Sequence, residues 1–234
     1  EAIFASRDAL RAKVLGPAAD PQEGHMGLER ELQMAQSAHC VLAVSGIEAQ
    51  RFRQAGCAQV LALGHGLEVQ PTPAGFQSRR HLLFVGRLQE ESSPNADSIL
   101  WFVREVMPLL DQRIGTGYAL DIVGRCSEKL RAQLGGARVV FHGRVDDLRS
   151  FYDRARVFVA PTRFAAGIPL KVQEAAAHGV PVVGSALIAE QLGWGHGGEL
   201  LSAATAEAFA DACARLYVDE TLWASTRQAA LAAA

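Results

Sequence analysis

The sequence predicts an α/β protein: a doubly wound parallel sheet of Rossmann-like type, joined to part of a second α/β domain. Three observations carry this. From residue 81 onward, short apolar runs alternate with amphipathic helical patterns. The runs are apolar along their length, as strands of a parallel sheet covered on both faces are. Finally, 49% of the 234 residues are hydrophobic, enough for a packed core rather than disorder.

Residues 1–77 have a broken pattern and read as a partial first domain. The pattern predicts a helix over residues 28–38 and a short strand over 41–44. Ser45 reads as the N-cap of a helix through Gln54, and residues 60–63 as another short strand. Gly64-His65-Gly66 and the Pro- and Gly-bearing stretch to Phe76 resemble a linker between domains. The chain opens inside a helical pattern without an initiator Met, which reads as a piece of a longer protein.

Residues 78–234 read as the Rossmann-like domain. Its first strand is expected at 82–85. Ser93 and Pro94 then form a cap and first-turn pair for a helix to about Leu110. Ile99, Phe102, Val103, Val106 and Leu110 fall on its inward face, and Pro108 is expected to distort its last turn. Strands at 120–123 and 139–142 flank a helix near 127–134. Asp147 opens a short helix that buries Leu148, Phe151, Tyr152 and Ala155. A strand at 157–160 leads through a loop to a helix opening at Pro169 and closing at Gly179. The strand at 180–183 tolerates Pro181 only at its start. A weak strand at 200–201, a helix from the Thr205 cap to Tyr217 and a last helix from about Glu220 complete the pattern. Right-handed crossovers fold such an alternation into a doubly wound sheet.

Composition removes several function classes. A net charge of −2 lacks the basic excess of a nucleic-acid surface, so no nucleic-acid partner is expected. No apolar run reaches the roughly 18–20 residues that span a bilayer. Cys40, Cys57, Cys126 and Cys213 are too far apart in sequence for metal-type pairs or a disulfide framework. They read as buried thiols of a reducing cytoplasm. No two histidines sit at ligand spacing beside a carboxylate, so no metal site is expected.

A Rossmann-type sheet binds its ligand at the carboxyl ends of the strands, where strand order reverses. In the commonest order this point lies between the strands at 82–85 and 157–160. Topology then brings Gly86-Arg87 and the loop from Arg163 through Gly167 and Ile168 toward one crevice, with Gly143-Arg144-Val145 nearby. The dinucleotide fingerprint G-x-G-x-x-G is missing after Gly86, which argues against NAD. The helix opening at Pro169 offers the free amides of Leu170 and Lys171 and the charge of Lys171 to an anion. Glu174, one turn on, can accept from both hydroxyls of a ribose. Lys171 and Glu174 at this spacing also fit an ordinary surface ion pair, worth about 0.2–0.5 kcal/mol. Arg87, Arg144 and Arg163 fit solvated strand ends, and His142 fits a satisfied core histidine. Trp101 and Trp194 read as packing residues. The GWGHGG run at 193–198 reads as a turn.

At PTRFAAGIPLKVQEAAAHGVPVV the sequence resembles the C-terminal, donor-binding domain of group 1 (family 4) glycosyltransferases of the GT-B fold. LLFVGRL, SPNADSILWFVREVMPLL, LDIVGR and VVFHGRVDDLRSFYDRARVFVAP support the likeness, which covers about residues 81–231. Residues 1–77 look like the last portion of the same fold's N-terminal domain. The resemblance implies a glycosyltransferase that uses a nucleoside diphosphate-sugar as donor substrate and has no separate cofactor. It implies that Glu174 holds the ribose hydroxyls. Lys171, with Pro169 and Leu170, meets the diphosphate and sugar, Arg87 meets a phosphate, and Gly143, Arg144 and Val145 line the base. Many members carry a second glutamate eight positions before the ribose-binding one; here that position is Ala166, which leaves the sugar and the stereochemical outcome open.

The expected partners are the nucleotide-sugar, a glycan or lipid-linked acceptor, and the rest of the parent polypeptide, which would supply the catalytic groups. Bacterial-type glycan biosynthesis in the cytoplasm, or at a membrane surface in the full-length protein, is the implied setting. Two rivals stand beside this reading: a sugar-nucleotide epimerase on the same fold, and a non-catalytic binding or scaffold module. An epimerase needs carboxylates in the cleft for proton transfer, and few are available beyond Glu174.

Overall fold

The computed structural model describes residues 4–16, 21–136 and 138–234, with the backbone alone for residues 4–6 and 21–26. The helical pattern read at the chain's start falls partly on residues 1–3, outside the described ones. Two compact units emerge. The first takes the described residues up to Gly66, with Arg163–Pro169 and Gln191–Gly193; the second takes Leu67–Thr162, Leu170–Glu190 and Trp194–Ala234.

In the first unit, helices α1 (Phe4–Leu15) and α2 (Pro21–Ser37) precede β1 (Val41–Ala43), α3 (Gly46–Gln54) and β2 (Val60–Ala62). The helix expected from residue 28 begins at Pro21, because proline suits a first helical turn and the glycines at 24 and 27 only weaken the pattern. Ser45 caps α3 as expected, its Oγ accepting from Glu48 N at 3.1 Å. The two strands pair in parallel, Leu42 opposite Leu61. Ala43, Ala49, Phe52, Cys57 and Val60 form a small core with Leu28, Leu32 and Ala35 of α2 packed on it, while Leu42 and Leu61 are exposed.

The second unit is built on a six-stranded parallel sheet. Its strands are β3 (His81–Val85), β4 (Leu120–Val123), β5 (Val139–Gly143), β6 (Ala155–Ala160), β7 (Val182–Ser185) and β8 (Leu201–Ala203), in the order β5-β4-β3-β6-β7-β8. The order therefore reverses between β3 and β6. The helices are α4 (Pro94–Trp101), α5 (Met107–Ile114), α6 (Glu128–Leu134), α7 (Arg149–Arg154), α8 (Leu170–Ala177), α9 (Ala186–Leu192), α10 (Ala206–Val218) and α11 (Glu220–Ala233). Ser93, Ser127, Thr205 and Asp219 cap α4, α6, α10 and α11, each accepting from a backbone N–H three residues on. One core gathers Leu82, Phe84, Ile122, Val157 and Val159 from the sheet with Ile99, Leu110, Phe209 and Leu216 from α4, α5 and α10, and Phe102 from the turn between α4 and α5.

Four local expectations are corrected. The helix after Ser93 runs beyond Leu110 to Ile114, and its distortion precedes Pro108 as a π turn over Phe102–Val106, where Met107 N–H reaches Phe102 O. Pro108 has no N–H for the carbonyl four residues back and its ring crowds that carbonyl, so the preceding turn widens. The strand after α8 begins at Val182 rather than at 180. Val180 N–H instead closes α8 on Ala175 O, and Pro181 O accepts from Phe158 N. Leu148 and Val103 are only partly buried. Of the thiols, Cys57 and Cys213 are buried, but Cys40 and Cys126 are partly exposed. No helix among the described residues is long and apolar enough to cross a membrane.

The stretch at 67–80 belongs to the second unit and is hydrogen-bonded to the rest of it. Gln70 N and Thr72 N donate to Ala177 O and His178 O at the end of α8, at 2.9 and 3.1 Å. Arg79 is fully buried and donates to Ala74 O, Tyr152 O, Ala155 O and Thr72 Oγ1. Arg227 of α11 donates to Ala74 O and Thr72 O, and Arg156 to Phe76 O. Four carbonyl or hydroxyl acceptors offset much of the cost of burying the Arg79 guanidinium. Desolvation still pulls it down to about 10.

The strand ends β3, β4 and β5 meet through bare backbone. Gly86 N donates to Val123 O at 2.9 Å, and Gly124 N to Gly143 O at 2.8 Å. Gly124 has φ +138°, and a Cβ there would lie 2.1 Å from Gly86 O. Gly124→Ala therefore combines overpacking, about 1–3 kcal/mol, with an unfavourable backbone region, about 1–3 kcal/mol. Urea unfolding should show a fall in midpoint equivalent to about 2–6 kcal/mol; a midpoint equal to that of the parent chain would contradict the close approach.

Candidate functional site

The sheet order puts the carboxyl end of β3 beside that of β6, and the segments that follow supply the polar groups. After β3, Leu88 is fully buried and its N–H reaches Arg125 O at 2.7 Å, while Ser127 N reaches Leu88 O at 2.9 Å. This fixes the Gly86–Leu88 turn against the end of β4. The Arg87 side chain stays 68% exposed and lies 3.8 Å from Glu90. Ser93, Pro94 and Asn95 then open α4.

From the other side, α8 opens at Leu170 and its first turn carries Lys171. Lys171 Nζ donates to Asn95 Oδ1 at 2.7 Å and lies 4.5 Å from the centroid of the Phe84 ring. Asn95 Nδ2 donates in turn to Arg87 O at 3.3 Å. A chain of contacts thus spans the strand reversal from α8 to the turn after β3. Lys171 as a residue keeps some exposed surface, but its ammonium end is packed round by protein. Burial alone pulls it down to about 8.

Glu174, one turn along α8, is partly buried, and its carboxylate has no hydrogen-bond or ion-pair partner among the described residues. The alternative of a Lys171–Glu174 surface pair is not what forms. Tyr152 is buried and stacks on His178, with centroids 4.5 Å apart, and His178 Nδ1 is 2.8 Å from Glu174 O. Burial, and after it the Glu174 carboxylate, pushes the Tyr152 phenol up.

At the end of β5, Gly143 adopts φ +67° and Arg144 is exposed, 4.0 Å from Asp146. His142 just before it is satisfied as expected, but it is only partly buried rather than in the core. Its Nε2 is 2.7 Å from Asp121 Oδ1, and Asp121 also accepts from Arg154 Nε at 2.9 Å.

The second unit thus holds Gly86, Arg87, Gly143, Arg144, Val145, Leu170, Lys171 and Glu174 at or beyond the carboxyl ends of its strands. Arg163, Gly167, Ile168 and Pro169 group with the first unit. Asn95 is the residue that sequence reasoning missed. Its signal was its position, the second residue of the helix after the first strand, facing the reversal. Among the described residues no cluster of three or more His, Cys, Asp or Glu is arranged to hold a metal.

The family model described as "Glycosyl transferases group 1" matches residues 79–219. No curated protein matches the chain in sequence. Among solved structures, the chain resembles TarM, known from S. aureus, at a TM-score of 0.72 and 13% identity, over 89% of this chain and 42% of that one. It resembles Anabaena HepE in complex with UDP and glucose at a TM-score of 0.70 and 19% identity, over 88% of this chain and 61% of that one. For the pneumococcal O-GlcNAc transferase GtfA in complex with UDP and GlcNAc the values are 0.65 and 16%, over 88% and 43%. The chain spans less than two thirds of each of these proteins. At such identities the likeness establishes the Rossmann-like α/β fold.

Lys171 sets a testable pH dependence. Its folded value of about 8 lies below the ordinary 10.5. Between these values the unfolded chain binds the extra proton, so stability rises with pH from about 8 to about 10.5. Urea unfolding of the parent chain and of Lys171→Met across this range should diverge, the rise being present only in the parent; parallel curves would contradict a desolvated ammonium.

Proposed function

The chain belongs to the group 1 glycosyl transferases, and from that membership we infer that it binds a nucleoside diphosphate-sugar and supplies the donor side of a glycosyl transfer. The observation that carries this reading is Lys171, a desolvated cation at the first turn of α8, held across the strand reversal with no carboxylate among the described residues paired to it. An anion seated there meets the Lys171 charge, the free amides of a helix start and the positive end of its dipole.

In this reading the diphosphate lies at the opening of α8, against Lys171 and the amides of Leu170 and Lys171. Arg87, exposed on its turn, meets a phosphate. Arg163, Gly167, Ile168 and Pro169, expected at the donor from the sequence, group with the first unit and are given no contact in this reading. Glu174 takes the two ribose hydroxyls, for which its unoccupied carboxylate oxygens are suited. Gly143, Arg144 and Val145 line the base. UDP is the first nucleotide to test, because HepE and GtfA are each described in complex with UDP.

The chemistry assigned to these residues is stabilisation of the departing diphosphate. As the glycosidic bond to phosphate breaks, negative charge grows on the leaving oxygen. A low-dielectric cation and oriented amides stabilise that charge more than the ground state. No separate cofactor is assigned. The acceptor, a glycan or a lipid-linked sugar, and the groups that activate it are assigned to the rest of the polypeptide.

Calorimetry with UDP, GDP and ADP tests the reading. One of the three should bind, and Glu174→Ala should weaken it about 10- to 100-fold, the loss of about 1.5–3 kcal/mol for hydrogen bonds to a charged group. Thermal unfolding of this variant without nucleotide should match the parent. If none of the three binds, the reading fails. Tight binding without transfer by the full-length protein would favour a scaffold role.

A further inference from the structure

The Lys171 ammonium is presented by a neutral amide, not by a carboxylate. Nζ donates to Asn95 Oδ1 at 2.7 Å, and Asn95 Nδ2 is anchored on Arg87 O at 3.3 Å. The amide is seated against the end of β3: a Cβ at Gly86 would lie 3.0 Å from both Asn95 Cγ and Nδ2, so a glycine there makes room for it. Ser93 fixes the backbone that carries Asn95, its Oγ accepting from Ala96 N at 3.2 Å. The ammonium also lies over the Phe84 ring. It has three N–H donors, and among the described residues only Asn95 accepts from one of them.

We propose that Asn95 is the positioning residue of Lys171: it fixes the ammonium at the strand reversal without neutralising it, leaving its charge and remaining donors for a bound phosphate. A carboxylate of the same shape would hold Nζ equally well. It would also form an ion pair and compete with the anionic ligand. Charged side chains stand on the flanking elements, namely Arg87, Glu90 and Asp97 after β3 and Glu174 on α8. Burial nevertheless remains the sole cause of the lowered Lys171 value, in keeping with an uncompensated charge. The proposal rests on the reading of Lys171 as the phosphate contact.

The test compares Asn95→Asp, Asn95→Ala and Lys171→Met with the parent chain. Aspartate suits the first turn of a helix, so Asn95→Asp is expected to fold, as thermal unfolding would verify. Two quantities are measured: the titration midpoint of Lys171 without ligand, by amine-reactive labelling and mass spectrometry across pH, and UDP affinity by calorimetry at pH 7. In Asn95→Asp the Lys171 midpoint should move up by at least one pH unit and UDP affinity should fall at least 30-fold. In Asn95→Ala UDP affinity should fall about 5- to 10-fold. An unmoved midpoint in Asn95→Asp overturns the contact and the proposal with it. Parental affinity in Asn95→Ala, where Lys171→Met has lost binding, overturns the positioning role. Parental affinity in Lys171→Met overturns the functional reading of Lys171 and the proposal resting on it, and the ligand-free midpoint distinguishes that failure from a missing contact.

Discussion

The reversal of strand order between β3 and β6 is the constraint on which the second unit depends. Right-handed crossovers carry the chain outward in one direction from β3 and in the other from β6. The segments leaving those two strands therefore diverge and leave a gap at their carboxyl ends. α4 and α8 both start at that gap, and their first turns supply Asn95 and Lys171. A parallel sheet without the reversal would cover the same ends with a continuous row of loops. The cation and its amide partner would then have no reason to meet.

α8 is held at both ends by different chemistry. At its start Lys171 reaches Asn95. At its end the carbonyls of Ala177 and His178 receive the amides of Gln70 and Thr72. That second attachment depends on Arg79, Arg156 and Arg227, whose guanidinium groups are spent on backbone carbonyls. Burying Arg79 and Arg156 and partly burying Arg227 is costly, and acceptors with geometry fixed by the fold offset the cost. The helix that bears Glu174 is thereby tied to the sheet domain by the very stretch that composition marks as a linker.

Much of this was legible in the sequence. Helix starts were marked by Ser45, Ser93 and Thr205, whose side chains make local bonds that depend on little else. The strand order matched the commonest one for a doubly wound sheet, which had to be assumed, and the location of Lys171 followed from that order. What stayed hidden depends on distant partners. Nothing near Arg79 reveals that it will be buried among carbonyls of Tyr152 and Ala155, more than seventy residues away. Asn95 looks like any polar residue of a first helical turn until Lys171 arrives from another helix. The grouping of Arg163–Pro169 with the first unit is likewise set by packing rather than by local pattern.

The wide turn at Phe102–Val106 carries a consequence for comparing chains of this kind. Each residue of an α-helix advances the chain by about 100° around its axis. A π turn takes in roughly one residue more than the helix around it needs, and α5 still directs Met107 and Leu110 into the core. A related chain with a regular helix here would be one residue shorter, with the same side chains facing inward on both flanks. Aligned without a gap, the two sequences would fall out of register after this turn, and a shared core would look like unrelated substitutions.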